Sequence, residues 1–254
     1  MVLSFIRRWK RDKLREEPFP ETWHAHVERH LPAAKSLSTE EREDLYDLIR
    51  IFVEEKHFEG CGGLELTEEM RVAIAARACL LLLGMDIEAP YPDLVTILVY
   101  PSAYKSPQTR IEGGIVSEGD VARLGESWDR GVVVLAWDAV QKGARDPKDG
   151  KDVVLHEFAH QLDQESGAAD GAPVLDDASD YGPWARVFGK AFDAHVRATH
   201  KGARTVMDEY GATNPAEFFA VATEAFFERP ALMRTKHPEL YRELVAYYGR
   251  DPGA

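Results

Sequence analysis

The chain has 254 residues, 44% of them hydrophobic and 30% charged, proportions of a soluble globular protein long enough to bury a core. Forty-four acidic residues against 31 basic ones leave a net charge of −13. That balance argues against nucleic acid as a partner, because phosphate recognition needs a basic footprint. No apolar run approaches the roughly 18 residues of a membrane span, and the run over residues 78–83 is stopped by Gly84.

Two cysteines, Cys61 and Cys79, fit a reduced, cytoplasmic protein. At the N-terminus, basic residues up to Arg15 follow a very short apolar run, the reverse of secretory-signal order. One reading is a basic amphipathic helix grazing an anionic membrane. A frayed basic terminus is the expected one. Residues 1–18 are therefore set apart as a basic, disordered segment, and residues 19–254 are read as one unit with an N-terminal helical layer.

A short helix is expected over residues 21–30, ended by Pro32. It carries His24, His26 and His30 without an accompanying carboxylate or cysteine pattern, so solvent-facing histidines are expected. Ser38 and Glu41 form a capping-box pattern ahead of an apolar stripe, Leu45, Leu48, Ile49, Phe52 and Val53. The break at Gly60, Gly62 and Gly63 has neither dinucleotide nor P-loop spacing. Thr67 caps the next helix, residues 68–83, whose later turns are apolar on nearly every face and hence buried.

Residues 94–100, 111–116 and 131–137 read as strands, with 125–130 as a polar turn. Strands followed directly by helices predict an α+β fold, a small mixed or antiparallel sheet packed on a mostly helical body. Asp152 is placed to cap the helix that follows.

That helix contains His156-Glu157-Phe158-Ala159-His160. Positions four apart share a helix face, so both imidazoles point the same way and can take two corners of a zinc tetrahedron. Glu157, offset around the helix, reaches toward water bound at such a metal, where a general base is useful. Beyond it lies a loop with several acids, including Asp170 and Asp180, and then an amphipathic helix over residues 183–199. His195 and His200, on or after that helix, read as surface or capping groups.

A catalytic zinc usually takes three protein ligands and one water. Asp163 and Ser166 occupy the places where a metzincin has Gly and His, which removes that class. The remaining source is a carboxylate on a later helix, and residues 214–227 offer Glu217 and Glu224, two turns apart on one face. Glu217 also fits as a capping-box glutamate behind Asn214 and Pro215. Glu224 also fits as the partner that orients a ligand histidine. Spacing ranks Glu217 ahead and leaves both open.

Together, residues 154–163 around the histidine pair and residues 210–220, Tyr210 to Ala220, resemble the Mlc titration factor A family of bacterial zinc-dependent peptidases. Residues 58–64 and 97–104 are similar to the same family, and the likeness covers about residues 19–248. The resemblance implies a zincin-like metallopeptidase fold of the glutamate-zincin group, similar to the catalytic domain of anthrax lethal factor. It implies one zinc per chain held by His156, His160 and Glu217, with Tyr210, seven residues before Glu217, near the metal. It also implies aminopeptidase activity on short peptides, and for some members capture of a transcriptional repressor of sugar uptake.

The expected chemistry is hydrolysis by metal-activated water, with Glu157 as general base and Tyr210 donating to the oxyanion. The strand over residues 131–137 is the expected sheet edge for an extended peptide, and the acidic loop over 170–180 the expected holder of its free amine. The alternative is a regulatory binding protein that sequesters the repressor. A structural zinc fits poorly, because such sites close with four protein ligands and neither cysteine lies near these histidines in sequence.

Overall fold

The computed structural model describes residues 2–112, 115–123, 125–128 and 131–254, and the side chains of residues 6–103 and 131–254. The basic terminus forms helix α1 (Val2–Glu16), seated on α3 (Thr39–Glu55). Arg11 Nε lies 2.7 Å from Glu55 Oε1, and the Arg50 guanidinium donates to the Leu14 carbonyl. The capping box of α3 forms as its sequence requires, with Ser38 Oγ accepting from Glu41 N and Glu41 Oε2 from Ser38 N.

Helices α2 (Glu21–His30) and α4 (Glu68–Leu80) complete the N-terminal layer, and α4 is buried from Val72 to Leu80. His30 departs from the solvent-facing expectation. It is buried, with Nε2 2.7 Å from Glu69 Oε1 on α4.

The main sheet runs in the order β1 (His57–Gly60), β2 (Thr96–Tyr100), β6 (Val132–Ala136) and β5 (Gly125–Trp128). Its three strands β1, β2 and β6 are parallel, and antiparallel pairing is confined to β5 on β6. Of the mixed or antiparallel sheet expected, the antiparallel form fails for a topological reason, and the four strands together make a mixed sheet. Helix α4 carries the chain back between β1 and β2, and a separate hairpin, β3 (Tyr104–Glu112) with β4 (Ile115–Arg123), intervenes before β6.

The strand expected over 111–116 is the end of β3 and the start of β4; residues 113 and 114 lie outside the described residues. The turn expected over 125–130 is strand β5 over 125–128, and residues 129 and 130 likewise lie outside. Strand β6, expected at the sheet edge, is interior because β5 pairs along its outer side.

The C-terminal half is helical: α5 (Trp137–Arg145), α6 (Val153–Gln164), α7 (Tyr181–His200), α8 (Pro215–Glu228), α9 (Pro230–Lys236) and α10 (Pro238–Tyr248). Phe158 of α6 lies against Tyr91 and Phe52, with ring centroids 4.8 and 5.6 Å away, so the helix is locked into the core. Burying one such side chain contributes roughly 1.5–3 kcal/mol. Gly84 and Gly249, at φ 113° and 64°, meet back to back, and a Cβ on Gly249 would lie 2.1 Å from the Gly84 carbonyl oxygen. Among the described residues, no helix is long and apolar enough to cross a membrane.

Candidate metal centre

Helix α6 begins where Asp152 Oδ1 accepts from Val154 N at 2.9 Å and Leu155 N at 3.2 Å. Its apolar side, Val154, Leu155, Phe158, Ala159 and Leu162, is buried and fixes the rotation of the helix. That rotation sets the His156 and His160 rings side by side, with centroids 4.9 Å apart. Their side chains are 14% and 11% exposed, enough to face a cleft without opening fully to solvent.

Helix α8 packs on α6 and brings the carboxylates. Asn214 Oδ1 accepts from Glu217 N at 2.9 Å, and Pro215 occupies the first turn. The Glu217 side chain does not close a capping box. Its Oε2 lies 3.0 Å from His156 Nε2 and 3.3 Å from His160 Nε2. The ligand-capable atoms of His156, His160 and Glu217 all fall within 4.8 Å of one another, the one such grouping among the described residues. Metal–ligand bonds of 2.0–2.1 Å in a tetrahedron put ligand atoms about 3.3 Å apart. The donor set and its spacing therefore fit a bound metal ion.

Glu224 faces the other side of the same ring. Its Oε1 lies 2.8 Å from His156 Nδ1, and its Oε2 accepts from the Asp152 backbone N at 2.6 Å. The two carboxylates left open by spacing thus do different things. Glu217 joins the cluster, whereas Glu224 orients a member of it.

Electrostatics follow from this packing. Burial would raise Glu217, but hydrogen bonds from His156 and His160 outweigh it and hold its carboxyl well below the usual carboxylate range. Burial would lower His156, yet Glu217 and Glu224 raise its imidazole well above the ordinary value. Glu157 is 5% exposed, and burial pushes its carboxyl upward despite both histidines.

Tyr210 sits in a 3₁₀ turn over Glu209–Ala212. Its hydroxyl is 3.4 Å from Glu217 Oε1, and its ring centroid is 6.0 Å from that of His156. The residue is 53% exposed, so the hydroxyl borders the cleft.

Of three supports of this turn, Asp208 and Lys151 carry no sequence signal, and His195 reads from sequence as a surface or capping group. Asp208 Oδ1 accepts from Tyr210 N at 2.8 Å, Lys151 Nζ pairs with Asp208 Oδ2 at 2.5 Å, and His195 Nε2 donates to the Asp208 carbonyl at 2.9 Å. His195 is buried, contrary to its surface reading, and is not part of the metal-capable cluster. Its partner is a backbone carbonyl, which leaves no side-chain signal in a sequence. Arg77 has a sequence signal of its own, since a cation among the alanines of an apolar helix calls for a buried counter-ion. That counter-ion is Asp152, with Oδ2 2.8 Å from Arg77 Nε.

The acidic segment after α6 is fastened at its start, where Gly171 N donates to the Asp163 carboxylate at 2.9 Å. Among the described residues β5 ends the sheet order, and it lies against α6.

Comparison with known proteins points the same way as the cluster. A family model described as glucose-regulated metallo-peptidase M90 matches residues 6–249. An uncharacterized protein of Synechocystis is 42% identical over 246 residues, covering 96% of this chain and 89% of the relative. Mlc titration factor A of Pectobacterium atrosepticum is 33% identical over 237 residues, covering 91% of this chain and 87% of the relative. The Yersinia pestis protein of the same name is 30% identical over 251 residues, covering 96% and 89%.

Proposed function

Because the chain belongs to the glucose-regulated metallo-peptidase M90 family, we propose that it is a cytoplasmic zinc-dependent peptidase that cleaves short peptides as an aminopeptidase. The observation that carries the reading is the meeting of His156, His160 and Glu217 on two packed helices, with Glu224 behind His156. These three residues would hold one zinc ion, which when bound supplies Lewis acidity toward water and the scissile carbonyl.

The chain's own groups do the rest. Glu157, buried and with its carboxyl raised above the ordinary value by that burial, takes a proton from the attacking water and returns it to the leaving amine. The Tyr210 hydroxyl donates a hydrogen bond to the oxyanion that develops on the carbonyl oxygen. Glu224 accepts from His156 Nδ1, fixing the tautomer that leaves Nε2 free as a ligand. The outer flank of β5, beside α6, takes an extended peptide as an added strand, and the acidic segment 170–180 engages its free amine. Turnover of peptides with free rather than blocked N-termini, lost on chelation and restored by zinc, is the test. Turnover unaffected by chelation would sink the reading.

A second reading is favoured by the relatives' names, which describe titration of a factor called Mlc. On this reading the protein sequesters a transcriptional repressor, and binding requires no hydrolysis. A Glu157→Gln variant that still captures such a regulator while failing to cleave peptides separates the two.

A further inference from the structure

We propose that Arg77, on the N-terminal helical layer, is a positioning residue for the metal centre, acting through Asp152 and Glu224; the inference rests on the zinc reading above. Arg77 is 2% exposed. Its Nε meets Asp152 Oδ2 at 2.8 Å and its Nη1 donates to the Val140 carbonyl at 3.0 Å, while Nη2 has no partner among the described residues. A buried guanidinium with one donor unpaired is a costly way to fill space, and an apolar side chain of similar volume would pack at lower cost. Its charge therefore has work to do at Asp152.

Asp152 holds three things at once. Its Oδ1 caps α6, its Oδ2 takes Arg77, and its backbone N–H donates to Glu224 Oε2 at 2.6 Å. Glu224 then holds His156 at Nδ1, 2.8 Å away. The surroundings are acidic, since Asp152 faces Glu224 on α8 and acts on Glu228 of the same helix. Gly143 of α5 keeps the space clear, because a Cβ there would stand 3.0 Å from Asp152 Oδ2. Without Arg77, the buried Asp152 carboxylate loses this counter-ion and turns toward another donor. The Asp152 N–H then shifts, Glu224 loses its second anchor, and the His156 ring loses its fixed orientation.

The test measures zinc affinity by competition with a chromophoric chelator, the visible spectrum of the cobalt-loaded protein, and melting of the metal-free protein. Arg77→Met should bind zinc about 10–100-fold more weakly and change the cobalt spectrum, while Arg77→Lys recovers most of the affinity. If Arg77→Met does not fold, Arg77→Met with Asp152→Asn leaves no unpaired charge and keeps a capping side chain, and it should bind within about threefold of wild type. A folded Arg77→Met protein with wild-type affinity and an unchanged cobalt spectrum overturns the proposal. So does a folded double variant that stays tenfold weak. Wild-type protein that binds no zinc defeats the zinc reading itself, whatever Arg77 does.

Discussion

Glu217 and Glu224, seven residues apart on one helix, meet opposite nitrogens of a single imidazole, His156 Nε2 at 3.0 Å and Nδ1 at 2.8 Å. The helical period makes this geometry available, since seven residues are close to two full turns. It also separates the two carboxylates by function. One lies where a metal ion would be shared with His160, and the other is tied back to the Asp152 backbone.

That division predicts different losses. Glu217→Ala removes one of three ligands and should abolish stoichiometric metal binding. Glu224→Ala should retain one metal per chain at saturation but weaken it about 10–100-fold. Metal analysis after dialysis, with competition titration of both variants, reads the difference. Loss of metal from the Glu224 variant alone would reverse the assignment.

Catalysis should divide in a different way. Glu157→Gln keeps the size of a buried side chain and removes the base, so turnover should fall by at least about 10²-fold with metal content unchanged. Tyr210→Phe removes one donor at the cleft and should lower kcat by about 10²–10³-fold with little change in KM. Steady-state kinetics on a short peptide with a free N-terminus tests both. A Glu157→Gln enzyme as fast as the parent would remove Glu157 from the mechanism.

The helical pattern around the site was legible because each signal was local. The caps at Ser38, Thr67, Asp152 and Asn214 all form, and the four-residue spacing of His156 and His160 faces both rings one way. What was not legible depends on pairing at long sequence separation. Parallel β1, β2 and β6 look like antiparallel neighbours until the intervening α4 and the β3–β4 hairpin are placed. Strand β5 is short and polar and has the composition of a turn, so its sequence does not mark the sheet edge it forms. The contacts of His195 to a carbonyl and of Arg77 to Asp152, 75 positions on, have no periodic signature either. Choosing Glu217 over Glu224 needed the family likeness, because spacing allowed both.

Gly211 sets how closely the Tyr210 turn approaches α8. A Cβ there would lie 2.3 Å from Val221 Cγ2 and 3.4 Å from His195 Nε2. Gly211→Ala must push the turn outward, at a cost of about 1–3 kcal/mol for forcing extra volume into a packed site. Tyr210 moves with it, so kcat should drop even at temperatures where the variant is fully folded. Unfolding by urea and kinetics at low temperature check the two effects separately. An alanine variant with parental stability and rate would mean that the turn yields freely.

Glu228 predicts the pH dependence of folding. Burial, together with Asp152 and Asp149, pushes its carboxyl up to about 8, although Gly150 N and Lys151 N both donate to its Oε2. In the unfolded chain it titrates near its ordinary value of 4.5. Between these two values the folded protein holds a proton that the unfolded chain has released, so this group's contribution is full below 4.5 and declines as pH rises toward 8. The slope approaches about 1.4 kcal/mol per pH unit for one proton. Glu228→Gln keeps an oxygen to accept from both N–H groups and removes the titration. The variant should therefore gain on the parent as pH rises, with nearly equal stability near pH 4.5 and the largest advantage near pH 8. Denaturant unfolding of the metal-free proteins across that range measures it, and parallel stability curves would show that Glu228 does not carry the proton.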